Sequence, residues 1–289
     1  MSYQLLTATE TSYIVGGESD GNYVNTRCNI IMPRNSTYYA LTLRVKASGE
    51  SNREAWFLTA EEGILRATVF GGPKSRLRAQ VSPFHSGNLL VYHDPVRDSR
   101  KVNEFDVFSY RAGLRERYER AITADAVAET ILSSQGGGGS WSEALNLAAA
   151  VLDALDSAAG EAFCSRIGIY FLWYWAGILG IRPDLSVCAS CAREIKRDES
   201  LLYSLSKETL LCENCMQRQK ADLSAPADSG AWLRLGPGAR LWLNEIVSVP
   251  PTALVRVSLD TVSQEQANVF TKAVLAGALG KRLPTWDGI

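Results

Sequence analysis

The sequence has only two histidines and three methionines among its 289 residues, and it lacks any long apolar run. Its most apolar stretch, residues 167–181, is 15 residues long and contains three glycines, whereas a transmembrane helix takes about 20 mainly apolar residues. We therefore expect no membrane span. The stretch instead predicts a buried core helix in which aromatic side chains pack, namely Phe171, Trp173, Tyr174 and Trp175.

The N-terminal residues lack both the basic start and the apolar run of a secretory signal. This predicts an intracellular, cytoplasmic protein. Residues 1–36 are polar, show no sustained period and end in Pro33-Arg34-Asn35-Ser36. We expect them to form a poorly ordered N-terminal extension rather than a domain.

Catalytic signatures are missing as well. His85 and His93 have no nucleophile elbow, zinc-protease helix or acidic metal cluster to accompany them. The stretch at residues 71–75 lacks the glycine spacing of a phosphate-binding loop, so ATP binding is not predicted. We expect a protein without catalytic residues.

The first pattern along the chain is a series of short apolar segments that predict β-strands. Residues 39–46 alternate between apolar and polar positions, which predicts a half-buried strand. Similar apolar runs separated by glycine turns follow at residues 55–60, 64–70, 89–92 and 107–110. About five short strands favour a small barrel, and the OB-fold is a common five-stranded barrel that binds nucleic acid or sugar. We assign this barrel to residues 37–110.

After residue 110 the apolar spacing becomes helical, which predicts a mainly helical domain at residues 111–289. Four glycines at residues 136–139 interrupt it as a flexible surface loop. Ser263 with Gln266 forms a capping-box pattern for a last helix, and Gly280 is its expected C-terminal stop. The fold class is therefore α+β, with the barrel first.

The clearest chemical motif is a pair of Cys-x2-Cys sequences separated by 20 residues. This spacing is typical of a tetrahedral all-cysteine zinc site, in which each pair occupies a tight turn. Four thiolates leave no open coordination position, so we expect one structural Zn²⁺ ion within an insertion at residues 186–218. Its predicted ligands are Cys188, Cys191, Cys212 and Cys215.

Charge is unevenly distributed along the chain. Residues 40–120 carry 14 Lys/Arg against 10 Asp/Glu, whereas residues 121–187 carry 2 against 7. No acid occurs between residues 63 and 93, where four basic residues are found, Arg66, Lys74, Arg76 and Arg78. On a strand, turn and strand of a barrel they could follow a phosphate backbone, or they could form a basic edge strand that discourages aggregation. Possible extensions of the basic face are Arg44, Lys46, Arg111, Arg115, Arg117 and Arg120.

Three aromatic residues of the barrel, Trp56, Phe57 and Tyr92, could stack on nucleic-acid bases. Apolar aromatics are more often buried, so core packing is the favoured interpretation for each.

Several motifs, taken in their order, are similar to the bacterial recombination mediator family RecO. They are the strand opening at residues 39–44 with Gly49-Glu50-Ser51, the stretch at residues 73–77 followed by Pro83-Phe84, the run at residues 180–185 before the cysteines, and the ending at residues 279–283. The resemblance covers roughly residues 37–285. The 36-residue lead and the glycine loop depart from it.

The resemblance implies a non-enzymatic, nucleoid-associated protein of the RecF pathway that binds single- and double-stranded DNA. It would anneal complementary strands and help RecA, indirectly, onto DNA covered by single-strand-binding protein. The implied partners are RecR and the C-terminal tail of single-strand-binding protein. The candidate DNA contacts are Arg44, Arg66, Lys74, Arg76 and Arg78. The alternative is a zinc-stabilised protein-interaction scaffold that does not touch DNA.

Overall fold

A computed structural model of the chain describes residues 34–72, 74–134, 139–221, 231–257 and 259–289. The predicted N-terminal extension, residues 1–36, therefore lies outside the described residues except for its last three. The glycine loop is likewise outside them up to residue 138. Residues Arg34–Ile289 form one compact unit.

The N-terminal part of this unit is a closed five-stranded barrel with the strand order β1-β2-β3-β5-β4. Neighbouring strands are antiparallel except β3 and β5, which pair in parallel at Thr68 and Lys101. A short helix, α1, connects β3 to β4. This is the OB-fold that the strand pattern predicts. In chain order the elements are β1 Asn35–Ser48, β2 Asn52–Thr59, β3 Gly63–Val69, α1 Arg76–Gln80, β4 Ser86–Asp94 and β5 Ser99–Ser109.

Side chains on alternate positions of the strands fill the barrel interior. Phe57 and Phe105 meet there edge to face, with ring centroids 5.8 Å apart. Leu77 of α1 packs against the same cluster, and Val81 immediately after α1 is fully buried in it. The basic run at residues 76–78 is therefore helical and not part of a strand, because α1 uses its apolar positions to cover the barrel core.

Strand β1 differs from the prediction of a half-buried strand. Ala40 belongs to the barrel core, whereas Leu41 and Leu43 belong to the core of the helical part, together with Leu58 of β2. Residues 40–43 are all buried. Both faces of the strand are covered there because helices pack against the outside of the barrel.

The described residues of the C-terminal part form six helices and a three-stranded sheet with the order β7-β6-β8. The elements are α2 Tyr118–Ser134, α3 Trp141–Asp156, α4 Glu161–Ile178, β6 Leu201–Ser204, β7 Thr209–Leu211, α5 Glu213–Ala221, β8 Trp232–Leu235, α6 Pro237–Ile246 and α7 Thr261–Leu279. Short 3₁₀ turns complete this part at Ala112–Arg115, Pro251–Arg256 and Pro284–Gly288.

Helix α4 lies at the centre of the helical core, as the apolar run predicts. Phe171, Trp173 and Trp175 are buried, and the indole N–H of Trp173 donates to the Leu243 carbonyl at 2.8 Å. These aromatics are packing residues. Among the described residues, no helix has the length and apolar character that a membrane crossing requires.

Helix α7 begins differently from the prediction. Asp260 is its N-cap and accepts a hydrogen bond from the Ser263 backbone N–H, so Ser263 lies inside the first turn. Gln266 accepts from Gly236 instead of closing a capping box. An ionised Asp side chain is a strong acceptor at a helix N-terminus. Gly280 ends the helix in the left-handed conformation, with φ of 66°, as expected.

Candidate metal centre and nucleic-acid interface

Two turns bring the four predicted ligand cysteines together. Cys188 and Cys191 lie in a loop closed by a backbone hydrogen bond from Ala192 to Cys188, 2.8 Å long. Cys212 directly follows β7, and Cys215 lies in the first turn of α5. A backbone hydrogen bond from Ala189 to Leu210, 2.9 Å long, holds the two turns side by side.

The four Cys Sγ atoms all lie within 4.8 Å of one another. With Zn–S bonds of about 2.3 Å, an ideal tetrahedron places its sulfurs about 3.8 Å apart. Cys188, Cys212 and Cys215 are buried and Cys191 is exposed. The cluster therefore has the size and the donor set of a metal site.

Electrostatics in the cluster favour a cation. Burial raises the pKa of the Cys188 thiol, but backbone N–H groups, that of Cys212 first among them, outweigh it and lower this pKa to about 6. The Cys212 N–H donates to the Cys188 Sγ at 3.2 Å. The neighbouring Cys191 sulfur, together with burial, raises the pKa of Cys215 to about 12. Four thiolates repel one another at this distance unless a cation lies between them.

Two arginines hold the loop that contains Cys188 and Cys191, called here the cysteine loop: Arg193 links it to the segment that follows, and Arg240 links that segment to α6. Arg193 donates to the Glu199 carboxylate at 2.7 Å. Arg240 of α6 is buried and donates to backbone carbonyl oxygens before and after the loop, those of Leu185, Lys196, Arg197 and Glu199. The loop is thus fixed to α6 by a charged group that satisfies several carbonyls at once.

Two of the five predicted DNA contacts lie in one cleft. Arg44 of β1 pairs in register with Trp56 of β2, and Trp56 pairs with Arg66 of β3. Because the neighbours of Trp56 in sequence, Ala55 and Phe57, point into the barrel core, this row of three points outward. The Arg66 guanidinium lies 5.6 Å from the centre of the Trp56 ring.

The cleft extends from this row to the helical part and has a volume of about 490 Å³. Its lining residues are Arg44, Trp56, Glu62, Ile64, Arg66, Leu132 and Trp141. Trp141 opens α3 and did not figure among the sequence-based candidates. Its position after the N-cap Ser140 signals only a helix start, and its proximity to the barrel depends on tertiary packing.

The other three predicted contacts lie at the β3–β4 connection. Lys74 and Arg76 are exposed, at and just before the start of α1. Arg78 is partly buried and donates to the Ser51 carbonyl in the β1–β2 turn at 3.4 Å. The five residues therefore form two groups on different elements and not one continuous run.

Two of the possible extensions of the basic face have structural contacts instead. The buried Arg111 donates to the Phe84 carbonyl at 2.7 Å and to Asp153 of α3 at 2.7 Å, which joins the barrel to the helices. Arg120 is also buried and donates to the Ala158 carbonyl at 2.8 Å. The prediction of DNA contacts there is wrong, because these guanidinium groups satisfy buried carbonyls.

The three barrel aromatics have different surroundings. Phe57 is fully buried, so it is a packing residue as favoured. Trp56 and Tyr92 are only partly buried. The ammonium of Lys101 lies 5.3 Å from the centre of the Tyr92 ring, as Lys46 lies 5.7 Å from that of Trp56. Trp56 and Tyr92 therefore have part of their ring surface outside the core, where each lies next to a lysine.

Comparison with known proteins gives two family matches. The family described as "Recombination protein O N terminal" matches residues 32–111, and the family described as "Recombination protein O C terminal" matches residues 115–283. The first range contains the barrel, and the second contains helices α2 to α7 and the cysteine cluster.

Individual relatives are similar over most of their length. A protein of Desulfitobacterium hafniense named "DNA repair protein RecO" is 27% identical over 250 residues, which cover 86% of each chain. A protein of the same name from Heliobacterium modesticaldum is 24% identical over 256 residues, covering 86% of this chain and 87% of its own. Another, from Maridesulfovibrio salexigens, is 23% identical over 197 residues, covering 65% of this chain and 76% of its own.

Proposed function

The chain belongs to the recombination protein O (RecO) family of DNA repair proteins, and from this premise we propose that it is a non-enzymatic recombination mediator. In this role it binds DNA, anneals complementary strands and assists RecA loading on DNA covered by single-strand-binding protein. The function requires binding surfaces rather than a catalytic group. Since the substrate would be chromosomal DNA, we also propose that the protein acts at the nucleoid, in the cytoplasm.

The observation that carries this proposal is the outward row of Arg44, Trp56 and Arg66 on the OB barrel. Strands 2 and 3 of OB-folds form a common face for oligonucleotides. Arginines on such a face release counterions from phosphates, and an aromatic ring between them offers a stacking surface that accepts any base. Lys74, Arg76 and Arg78 would extend phosphate contacts toward the β1–β2 turn.

We further propose that Cys188, Cys191, Cys212 and Cys215 hold one Zn²⁺ ion. Four thiolates close its coordination shell, so the ion would contribute structure and not chemistry. It would hold the cysteine loop, β7 and the start of α5 in one arrangement. Arg240 of α6 donates hydrogen bonds to the Leu185 and Lys196 carbonyls on either side of the cysteine loop. Metal binding would therefore also stabilise the contact between this loop and α6.

The partners we propose are RecR, the acidic C-terminal tail of single-strand-binding protein and, indirectly, RecA. Family membership supports them. The charge distribution supports separate surfaces for DNA and for proteins, because residues 121–163 contain six acidic residues and no Lys or Arg. The acidic surfaces of helices α2 and α3 would therefore point away from DNA and be left to proteins, while Leu132 near the end of α2 and Trp141 at the start of α3 border the cleft beside the barrel.

The test is fluorescence anisotropy of labelled single-stranded and duplex oligonucleotides over a salt series, with annealing of complementary strands followed in the same samples. We expect salt-sensitive binding that tolerates any sequence, accelerated annealing, and no hydrolysis of nucleotide or DNA. Absence of binding at low salt would move the function to the alternative of a zinc-stabilised protein scaffold.

A further inference from the structure

The cleft between the barrel and the helices has two tryptophans and two arginines at its surface. Trp56 forms part of its floor on β2, flanked by Arg44 and Arg66 on the neighbouring strands. Trp141 contributes from α3. Aromatic and cationic side chains therefore meet in this cleft, although they come from barrel strands and from a helix that are far apart in sequence.

Trp141 is held against the barrel by close packing. At Gly63, the first residue of β3, a Cβ atom would lie 2.2 Å from Cε2 of the Trp141 ring. Only glycine allows the indole to approach the turn so closely. Leu132 of α2 and Ile64 of β3 add apolar surface beside it. The wall of the cleft is therefore built by the contact between the two parts of the molecule.

The dimensions and chemistry of the cleft fit a small aromatic ligand that carries phosphate. Its volume of about 490 Å³ lies within the range of about 300–1,000 Å³ that is usual for small-molecule sites. Indole faces suit flat rings, and guanidinium groups suit phosphate oxygens. The lining carboxylate, Glu62, is paired with Arg100 at 2.7 Å and accepts a hydrogen bond from Tyr38. Because Glu62 is already paired, its charge does not oppose the phosphates that Arg44 and Arg66 would hold, and the flat indole faces favour a base over a peptide side chain.

We propose that this cleft captures a single unpaired base of single-stranded DNA, with the adjacent phosphates on Arg44 and Arg66. This inference rests on the proposed DNA-binding function and specifies which form of DNA the barrel prefers. A base in a duplex must first be unpaired and unstacked to enter, at a cost in free energy. The cleft therefore selects single strands over duplex.

Two cations cover the Trp56 ring, and an incoming nucleotide can take their place. Lys46 and Arg66 lie 5.7 Å and 5.6 Å from the ring centre. Arg66 also pairs with the Glu54 carboxylate at 2.5 Å, and 63% of its side chain is exposed, so a phosphate would replace an exposed ion pair that contributes little to stability. Exposed cation–π contacts are weaker than base stacking on an aromatic ring. An arriving nucleotide offers the ring a base and offers the cation a phosphate, so both groups keep a partner.

The experiment compares an oligothymidylate with an abasic oligomer of the same length and charge, at one salt concentration, using the full chain. Wild-type protein is expected to bind the oligothymidylate more tightly. Trp56→Ala is expected to narrow this preference by roughly tenfold, the scale of one lost base stack, because it weakens binding of the oligothymidylate more than binding of the abasic oligomer. Trp56→Phe should keep most of the preference.

Phe108→Ala is the matched control, because Phe108 is also an exposed aromatic of the barrel, 59% exposed, but lies on β5 outside the cleft. Circular dichroism melting checks that each variant is folded. Equal losses for both oligomers in Trp56→Ala would overturn the base-capture proposal while the DNA-binding function stands. Wild-type protein that binds neither oligomer would overturn both. An acidic peptide that displaces the oligothymidylate only from protein with Trp56 intact would assign the cleft to a protein tail.

Discussion

Arginine residues in this chain act in different ways according to their burial. Arg66 keeps 63% of its side chain exposed beside Trp56, whereas only 2% of the Arg111 side chain is exposed. An exposed guanidinium can exchange its partner for a phosphate at little cost. A buried one cannot, because the carbonyl oxygens it satisfies would lose their donor. Burial therefore divides the basic residues into those available to DNA and those that hold the fold.

The basic residues of the β3–β4 connection, of which Lys74 and Arg76 are exposed and Arg78 is partly buried, allow a test of phosphate contacts. We expect Lys74, Arg76 and Arg78, replaced together by Gln, to weaken single-stranded DNA binding for every sequence. Each lost phosphate contact should lower the slope of log K against log salt by up to roughly 0.7. Anisotropy over a salt series measures this slope.

A matched control removes three exposed charges elsewhere, with Arg218, Arg256 and Lys281 replaced by Gln. Its salt slope should equal that of the wild type. If the two triple variants behaved alike, the effect would come from net charge and the α1 surface would not be a DNA contact.

His85 predicts a pH dependence of stability. Its ring is buried; Nδ1 donates to the Gln80 carbonyl at 2.8 Å, and Nε2 accepts from Arg115 at 3.4 Å. Burial lowers the pKa of His85 below 6.5; the Gln80 carbonyl opposes this shift, and the charges of Arg115 and Arg111 add to it. Below this pH the unfolded chain binds a proton that the folded protein excludes.

The free energy of unfolding should therefore decrease as the pH falls through 6.5 toward the folded-state pKa. Urea unfolding at about pH 7.5 and about pH 5.5 measures the decrease, which should be smaller in His85→Gln. His93→Gln is the control, since 36% of its side chain is exposed at the barrel surface. A wild-type decrease that survives in His85→Gln would contradict the assignment.

At the scale of elements, turns and loops join the two parts of the molecule. Gly49 opens the β1–β2 turn and Gly63 directly follows the β2–β3 turn, and both have φ of +69°. A Cβ at Gly63 would meet Trp141, whereas one at Gly49 would meet nothing within 4 Å. Alanine substitutions at these two glycines therefore separate the free-energy cost of backbone strain, which both share, from the cost of displacing Trp141, which only Gly63→Ala has.

Gly49→Ala should destabilise the protein by about 1 kcal/mol, from the left-handed backbone alone. Gly63→Ala should cost a further ~1–3 kcal/mol because Trp141 has to move. Urea unfolding of both variants measures the difference. Equal losses would mean that Trp141 adapts freely and that the wall of the cleft is not rigid.

Metal removal tests the cysteine cluster as an element. If the cluster holds zinc, chelation should unfold the cysteine loop, β7 and the start of α5, since binding of a structural metal is coupled to local folding. Hydrogen exchange read by mass spectrometry should show faster exchange in these segments and little change in α4. Cys212→Ser should show the same pattern without chelator.

The control for thiol chemistry is Cys164→Ser, which alters a buried cysteine of α4 outside the cluster. Its cysteine loop should exchange as slowly as that of the wild type. Unchanged exchange in the chelated protein would argue against a structural metal, and loss of α4 protection would show that the metal stabilises the whole helical part.

At the scale of the whole molecule, the barrel and the helices share a hydrophobic core. Leu41, Leu43 and Leu58 come from barrel strands but pack in the helical cluster. Arg111 adds hydrogen bonds across the same boundary. Elements with a common core lose their contacts together, so the described unit should unfold in one cooperative transition.

Two core variants test this cooperativity. Leu65 lies only in the barrel cluster and Leu172 only in the helical cluster. Leu65→Ala and Leu172→Ala should each cost about 2–5 kcal/mol, and each should lower the denaturant midpoints of β4 and α4 by equal amounts, measured by hydrogen exchange. A variant that shifted only its own part would show two independent domains.

The sequence by itself determined what depends on neighbours a few residues apart. Short apolar runs separated by turns indicated the OB barrel, helical spacing after residue 110 indicated the helical part, the apolar run at residues 167–181 indicated α4, and the paired Cys-x2-Cys motifs indicated the cysteine cluster. The order of the motifs also indicated the RecO family, which the family matches confirm. Short-range periodicity and turn chemistry carry this information within each segment.

Only the tertiary structure decided which surfaces are covered. It buried both faces of β1, turned Arg111 and Arg120 into structural residues, and brought Trp141 to Gly63 beside Trp56. Each of these outcomes depends on a contact between segments far apart in the chain. Burial determines whether a charge is free to meet a phosphate or is held by a carbonyl, and local sequence does not encode that distinction.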